Sequence, residues 1–464
     1  DFKGKKFLQI LIIIASMSAP FVGAYSWILL LGRNGVITKF LTNALHLPAI
    51  DIYGFKGIVL VFTLQLFPLV FLYVAGTMKS IDNSLLEAAE SMGSFGFKRI
   101  VTVVLPLLVP TLLAAALLVF MRAFSDFGTP MLIGEGYRTF PVLIYTQFIS
   151  EVGGNSAFAS ALAIMAIIIA LAIFLIQKYI SNRYSFSMNS LHPIESKKTT
   201  KGKMAAIYAT VYGIILFSVL PQVYLIYTSF LKTSGMVFVK GYSLNSYKVA
   251  FNRMGSAIFN TIRIPLIALV LVVLFATFIS YLAVRKRNLF TNLIDSLSMV
   301  PYIVPGTVLG IAFISSFNTG LFGSGFLMIT GTAFILIMSL SVRRLPYTIR
   351  SSVASLQQIA PSIEEAAESL GSNRLNTFAK ITTPMMLSGI ISGAILSWVT
   401  MISELSTSIL LYNVKTRTMT VAIYTEVLRG NYGVAAALST ILTVLTVGSL
   451  LLFMKISKSN SITL

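Results

Sequence analysis

The stretch Glu87-Ala88-Ala89-Glu90-Ser91-Met92-Gly93 and its near-copy Glu365-Ala366-Ala367-Glu368-Ser369-Leu370-Gly371 decide how this sequence is interpreted. A proline follows each glycine at the same spacing, and 365 − 87 and 384 − 106 both give an offset of 278 for Pro106 and Pro384. Each copy predicts a short polar helix between hydrophobic spans, whose two alanines keep one face small for close approach of another protein. The glycine can take the positive φ that ends a helix and turns the chain.

The composition indicates an integral membrane protein made of helices. Hydrophobic residues make up 56% of the chain, charged residues 11%, and the mean hydropathy is +0.86. Soluble domains carry about 25% charged residues. The net charge of +20 fits basic cytoplasmic loops better than nucleic-acid binding, so we expect no nucleic-acid partner. The chain has no cysteine, which excludes thiolate metal sites, and its two histidines make a histidine metal centre implausible. It has no Walker A loop and therefore no visible ATPase.

Hydrophobic runs predict about ten spans, and both copies of the repeated stretch are expected on the cytoplasmic side. This arrangement places the C-terminus in the cytoplasm and assigns residues 343–383, which include Arg343 and Arg344, to a cytoplasmic loop. Proline and glycine residues inside the spans either break helices along a pathway or permit tight packing. These residues are Pro20, Gly23, Pro301, Pro305, Gly306 and Gly310. The predicted spans are 8–31, 57–77, 103–121, 157–177, 205–228, 258–284, 293–316, 326–342, 384–402 and 434–454.

The chain divides into two homologous halves, 1–180 and 205–464, joined by a polar, basic cytoplasmic linker at 181–204. The pair Ser125-Asp126 matches Ser403-Glu404 at the same offset, which indicates tandem repeats. The first half has room for only two spans before Glu87, whereas the second has four before Glu365. We therefore expect two further spans upstream of the first half in the intact gene product; a true four-plus-six protein is the alternative.

The repeated Glu-Ala-Ala, three residues, Gly pattern resembles the EAA loop of binding-protein-dependent ABC importer permeases. The resemblance implies an all-α membrane protein of two tandem permease repeats, type I importer-like, in the bacterial cytoplasmic (inner) membrane. It implies two cytoplasmic coupling helices docked on an ABC ATPase homodimer, which binds the ATP and Mg, and an extracytoplasmic substrate-binding protein. The chain itself would be no enzyme and hold no cofactor or stable metal. The implied coupling residues are Glu87, Ala88, Ala89, Gly93, Glu365, Ala366, Ala367 and Gly371.

The segments 403–424 and Asp126-Phe127-Gly128-Thr129-Pro130 resemble ferric-iron importer permeases. Asp126, Glu404, Tyr145 and Tyr424 are candidate pathway residues, because Fe³⁺ favours carboxylate and phenolate oxygens. Alternatively, the two carboxylates only cap short outer helices. If they serve cargo, neutralising both should slow iron entry and leave stability largely intact.

Other functions remain open at this point. The same permease class also imports organic cargo such as thiamine, aminoethylphosphonate or polyamine. Remoter alternatives are a secondary transporter driven by an ion gradient and a structural membrane scaffold.

Overall fold

The computed structural model describes residues 19–150, 154–183, 200–286, 288–320 and 323–457, together with residues 4, 8, 11 and 12. Most of the predicted linker at 181–204 lies outside the described residues. The chain forms two compact units, one mainly of Asp1–Phe140 and Ile164–Leu225, the other of Pro141–Ala163 and Ile226–Ile462. These units are defined by contacts within the structure, whereas the two repeats were defined by similarity in sequence. The predicted repeat boundaries therefore stay a prediction.

The regular elements described in the first unit are all helices. Its apolar core gathers around Trp27, Ile52, Val61 and Ile133, where three helices and a preceding loop meet. The helices between residues 20 and 229 are α1 (Pro20–Leu31), α2 (Val36–Ala44), α3 (Phe55–Met78), α4 (Asn83–Ser91), α5 (Gly96–Arg99), α6 (Leu105–Ser125), α7 (Gly128–Ile133), α8 (Phe140–Ile149), α9 (Ser156–Arg183) and α10 (Lys201–Ser229). Most of α8 and the start of α9 belong to the second unit.

The second unit is helical as expected, with one addition, an antiparallel hairpin of β1 (Leu231–Ser234) and β2 (Val237–Tyr242). Its main core lies between three long helices and includes Ile264, Ile335, Leu340 and Met401. Its helices are α11 (Asn245–Arg285), α12 (Leu289–Ile303), α13 (Gly306–Phe317), α14 (Ala333–Gln357), α15 (Ser362–Ser369), α16 (Arg374–Thr377), α17 (Thr383–Met385), α18 (Leu387–Ile402), α19 (Ser408–Leu411), α20 (Met419–Leu428) and α21 (Tyr432–Ser457).

The hydrophobic runs predicted most of the long helices. Within the described residues, 6 helices are long and apolar enough to cross a membrane, or up to 8 if each of two bent pairs is one span. The bent pairs are α12 with α13, at 111°, and the Arg374–Met385 segment with α18, at 69°. Of the predicted span 8–31, the structure describes a helix over Pro20–Leu31 and little before it.

The predicted bounds of the span at 326–342 are wrong. The helix begins at Ala333 and continues to Gln357, so Arg343 and Arg344 lie inside it and not in a cytoplasmic loop. A hydropathy window ends at the first charges, but a helix buried against protein keeps charged residues when they are paired. Shifting Ala333–Gln357 back by the repeat offset of 278 reproduces the bounds of α3, Phe55–Met78, to within a residue.

The two halves share a second feature around the repeated prolines. A π-helical turn covers Ile100–Val104 in the first half and Phe378–Thr382 in the second, again at an offset of 278. Proline has no N–H to donate, and a π turn changes which carbonyl each N–H meets. The turn therefore lets the chain pass from the region after each polar helix into the span that starts at Pro106 or Pro384.

The span-interrupting residues both break helices and permit tight packing. The break between α12 and α13 falls at Pro305, and Gly306 and Gly310 lie in the helix that follows. A Cβ on Gly310 would lie 2.8 Å from the Leu410 side chain, which leaves no space for a larger residue.

Candidate functional site

The helices α4 and α15 carry the repeated stretch, and a different type of residue stands at the N-terminus of each. In α4, the Asp82 carboxylate caps the helix by accepting the Ser84 N–H at 2.9 Å. In α15, Pro361 stands at the N-terminal boundary, where its missing N–H is not needed, and its carbonyl accepts from Glu364 at 3.0 Å.

Both helices end in the same way, at the repeated glycine. Gly93 has φ 77° and Gly371 has φ 91°, which is the left-handed conformation that glycine adopts without strain. The residue after each glycine bonds back to the second alanine: Ser94 N–H to Ala89 O at 2.9 Å, and Ser372 N–H to Ala367 O at 3.0 Å. This is a Schellman ending, and the predicted positive φ of the two glycines at the helix ends is confirmed.

The two alanines of each copy do not share one exposed face, which corrects the sequence-based interpretation. Ala88 and Ala366 are exposed, but Ala89 and Ala367 are only 8% and 9% exposed and pack against their own unit. Consecutive helical residues point about 100° apart, so one alanine faces outward and the next faces inward. Within each Glu-Ala-Ala triplet, the glutamate, Glu87 or Glu365, and the first alanine are the residues exposed to a partner.

Large apolar side chains flank each exposed alanine, and sequence reasoning missed them. Met92 is 87% exposed and its counterpart Leu370 is 90% exposed; Phe97 is 79% exposed and its counterpart Leu375 is 78% exposed. Phe97 and Leu375 lie in segments that continue into candidate membrane spans, whereas Met92 and Leu370 lie at the ends of the polar helices, where exposed apolar groups are typical of an interaction surface. The differences 370 − 92 and 375 − 97 both equal the repeat offset of 278. This offset was the sequence signal that could have identified the two pairs.

The polar helices are fastened to their units by different ion pairs. In the first unit, Arg99 contacts Glu90 at 2.8 Å. In the second, Arg285 at the end of α11 donates to the Glu364 carboxylate at 3.0 Å and to the Ile359 carbonyl at 2.9 Å. Glu364 is buried, so this second attachment is the more protected from solvent.

Asp126 and Glu404 occupy equivalent cap positions in their separate units. The Asp126 carboxylate accepts the Thr129 N–H at 2.8 Å, and the Glu404 carboxylate accepts the Thr407 N–H at 3.1 Å. Each therefore makes the contact that the capping alternative predicts. Contact with cargo stays a prediction for both residues.

Glu404 also lies between two arginines of α14. Arg343 contacts one carboxylate oxygen at 2.5 Å and Arg344 contacts the other, so both oxygens are engaged. Arg343 also donates to the Thr407 hydroxyl at 2.9 Å. Sequence reasoning missed this cluster, because it placed the arginines in a loop on the opposite side of the membrane from Glu404.

The cluster carries more positive than negative charge. Burial raises the pKa of Glu404, but Arg343 and Arg344 outweigh burial and hold the pKa below its usual value. The carboxylate is thus ionised, and one of the two guanidiniums is not neutralised by it. In the first half, the positions 343 − 278 and 344 − 278 hold Gln65 and Leu66, so the arginine pair belongs to the second half alone.

A glycine makes room for the polar side chain in each half. A Cβ on Gly306 would lie 2.1 Å from Arg343 Nη1, and a Cβ on Gly23 would lie 1.9 Å from Gln65 Nε2. The Gly306 carbonyl also accepts from the Thr407 hydroxyl at 3.1 Å. The broken span after Pro305 is therefore joined to the arginine–glutamate cluster.

Tyr145 and Tyr424 lie in the short helices α8 and α20, both in the second unit. Burial raises the pKa of Tyr424, and the neighbouring Tyr145 raises it further. Burial likewise raises the pKa of Tyr145, with a contribution from Tyr412. Both phenols are neutral near pH 7, and the described part of the chain has no group of three or more His, Asp or Glu side chains that could hold a metal ion.

Comparison with known proteins gives a match over most of the chain. Residues 1–186 and 276–458 match the family model described as the binding-protein-dependent transport system inner membrane component. The two matched segments contain both polar helices and their glycines.

Two curated relatives match nearly the whole length of the chain, and a third matches part of it. The ferric transport system permease protein FbpB of Actinobacillus pleuropneumoniae is 30% identical over 96% of this chain, which spans 65% of that protein's length. The Fe(3+)-transport system permease protein FbpB 2 of Haemophilus influenzae is 26% identical over 94% of this chain and 79% of its own length. The sulfate transport system permease protein CysT of Salmonella typhimurium is 27% identical over 39% of this chain and 67% of its own length.

One solved structure aligns with part of the chain. A chain of a bacterial ABC transporter involved in the import of the acidic polysaccharide alginate aligns with a TM-score of 0.45 and 16% identity. It covers 55% of this chain and 96% of its own length.

Proposed function

The chain belongs to the family of binding-protein-dependent transport system inner membrane components, and on that premise we propose that it is the permease subunit of an ATP-driven ferric-iron importer. The observation that carries the proposal is the pair of equivalent helices α4 and α15, each with an exposed Glu-Ala pair and an exposed apolar residue just before its glycine. Two equal surfaces suit a partner that is itself a dimer of equal subunits.

The partner for these helices is an ABC ATPase homodimer on the cytoplasmic side, which binds the ATP and Mg. Met92 and Leu370 enter apolar pockets on the two ATPase subunits, while Ala88 and Ala366 allow close backbone approach. Closure of the ATPase dimer on ATP moves the two coupling helices and rocks the permease halves between inward-open and outward-open states. The chain itself hydrolyses nothing, and its C-terminus lies in the cytoplasm.

Ferric iron is the proposed cargo, handed over by an extracytoplasmic substrate-binding protein. The proposal is supported by two relatives with ferric names and by the resemblance of the segments around Asp126 and Glu404. Asp126 and the tyrosines carry oxygen atoms of the kind that Fe³⁺ favours, and brief contacts with them suit an importer that must release its cargo. Glu404 has both oxygens engaged, so we assign it a positioning role in holding the loop before α19.

Import of an oxyanion or phosphonate is the second candidate. The observation that favours it is the surplus guanidinium beside Glu404, because arginine is well suited to bind phosphate-like groups. Aminoethylphosphonate, one of the organic alternatives, belongs to this chemical class.

An uptake assay separates the two candidates. The full-length protein is reconstituted in liposomes with its ATPase and binding protein, and entry of radiolabelled ferric iron is compared with entry of sulfate, molybdate and 2-aminoethylphosphonate. The ferric proposal predicts iron entry with ATP and none with a non-hydrolysable analogue. ATP-driven entry of an anion without iron entry would overturn the cargo assignment and keep the permease assignment.

A further inference from the structure

The end of α11 remote from α15 carries a compact polar structure that the coupling mechanism does not use. We define it as the outer platform: the β1–β2 hairpin, residues 245–263 of α11, and the loop 412–418. Arg285, at the other end of α11, contacts Glu364 in α15. The outer platform and the second coupling helix therefore lie at opposite ends of one helix.

The length of α11 places the outer platform beyond the membrane. Its 41 residues extend about 61 Å at about 1.5 Å per residue, roughly twice the ~30 Å hydrocarbon thickness. The stretch from Ile264 to Val284 has no charged residue, whereas residues 245–263 include Lys248, Arg253 and Arg263. This polar part adds about 28 Å of helix, more than the few ångströms of headgroup on each side.

The outer platform is held together by hydrogen bonds between distant parts of the sequence. Asn260 donates to the Lys415 carbonyl at 2.8 Å and to the Arg417 carbonyl at 3.1 Å, and the Met419 N–H bonds the Thr261 hydroxyl at 2.7 Å. A Cβ on Gly430 would lie 2.7 Å from the Met236 side chain, so the hairpin tip also packs closely against the turn after α20. The surface is therefore ordered before any partner arrives.

The charge of the outer platform is of one sign. The segments 226–263 and 405–425 contain no Asp or Glu. Their basic residues are Lys232, Lys240, Lys248, Arg253, Arg263, Lys415 and Arg417. Permeases place most Lys and Arg on the cytoplasmic side, so a basic surface at the outer end runs against the usual bias.

Exposed apolar residues are interspersed with these cations. Met236, Val237, Tyr242 and Val414 are all largely exposed. Apolar and aromatic side chains among charges are typical of surfaces that bind protein, and a one-signed field speeds the encounter with an oppositely charged partner. Such a field also repels a free trivalent cation, which suits delivery of iron inside a carrier.

We propose that the outer platform is the docking surface for an acidic face of the extracytoplasmic substrate-binding protein. The inference rests on the proposed function, because it names where that partner binds. Lipid headgroups are the disfavoured occupant, since most of the helix extension lies farther from the bilayer than the headgroups reach.

Charge reversal at two exposed positions tests the inference. The double variant Lys240→Glu, Lys248→Glu is compared with Lys39→Glu, Lys56→Glu, which makes the same charge change at exposed positions in the predicted outer segment of the first half. Association of the purified binding protein with the full-length transporter in neutral-lipid nanodiscs is measured at several salt concentrations. We expect about a tenfold or larger loss of affinity for the platform variant, mostly in the association rate, and less than about twofold for the control.

The possible outcomes separate this inference from the proposed function. Basal ATPase activity of the transporter without binding protein should equal that of the parent in both variants, which shows that assembly is intact. Equal affinity of parent and platform variant would overturn the inference and leave the importer assignment standing. Thermal stability is also compared in nanodiscs that contain anionic lipid. If the platform variant lost only the stabilisation by that lipid, the result would overturn the inference in favour of lipid. Failure of the parent to bind any binding protein would count against the proposed function itself.

Discussion

Replacing Glu404 with glutamine should strongly destabilise the second half of the protein. The carboxylate is 5% exposed and accepts from both Arg343 and Arg344. The substitution leaves two largely buried guanidiniums close together with no opposite charge. Breaking a buried ion pair from one side costs about 3–5 kcal/mol, and the second arginine adds repulsion. The sequence-based expectation that Glu404→Gln leaves stability largely intact is replaced by this one.

Two comparison variants isolate the role of charge. Asp126→Asn, at the equivalent position, keeps a good capping residue, and we expect a loss below about 1 kcal/mol. The triple variant Glu404→Gln, Arg343→Gln, Arg344→Gln removes all three charges, and it should be more stable than Glu404→Gln alone.

Thermal unfolding of the purified protein in detergent provides the measurement, at several pH values. Because the pKa of Glu404 is lowered in the folded state, its stabilisation is fully present above the unfolded-state value of about 4.3 and is lost as the pH falls through the lower folded value. The gap between parent and Glu404→Gln should therefore be widest near neutral pH. A Glu404→Gln variant as stable as the parent at pH 7 would refute the reasoning.

Three further predictions concern the coupling helices. Arg285→Gln should lower hydrogen-exchange protection of Ser362–Ser369 by about 1.5–3 kcal/mol, because the contacts to Glu364 and Ile359 are lost. The control Arg374→Gln loses only an exposed 3.7 Å pair with Glu368 and should have little effect. Gly93→Ala and Gly371→Ala should each cost about 1 kcal/mol of local stability, measured by the same hydrogen exchange. A Cβ at either position meets nothing within 4 Å, so the effect should come from the backbone alone. A denaturation midpoint far below the parent's would contradict this. Asp82→Ala should cost about 1 kcal/mol in α4 alone, and equal fraying of α15 in the same experiment would argue against the capping assignment.

The repeated stretch allowed prediction of the local structure of both coupling helices. Asp82, Gly93 and Gly371 act through contacts only two to five residues away, so their neighbours in the sequence contain the necessary information. The burial of Ala89 and Ala367 was not predictable in this way, because it depends on which side of a short helix meets the rest of its unit.

The arginine–glutamate cluster could not be found from local sequence. Arg343 and Glu404 are 61 positions apart, and the two arginines look like the end of a span when hydropathy alone is considered. The repeat itself held a clue, since α3 and α14 have corresponding bounds and α3 continues well past the position of Arg343. The hairpin of Leu231–Tyr242 was missed because its few residues lie between two long helices with no strong alternation of apolar and polar side chains.

Protection of the coupling helices by the ATPase tests the central claim most directly. The chain has no natural cysteine, so single cysteines placed by Ala88→Cys, Ala366→Cys and, as a control on the outer platform, Lys240→Cys can be followed with a thiol-reactive reagent. All three positions are exposed in their own units. The account predicts that bound ATPase slows labelling at 88 and 366 about equally and leaves labelling at 240 unchanged. Unchanged labelling at both 88 and 366 in an assembled, ATP-hydrolysing complex would contradict it.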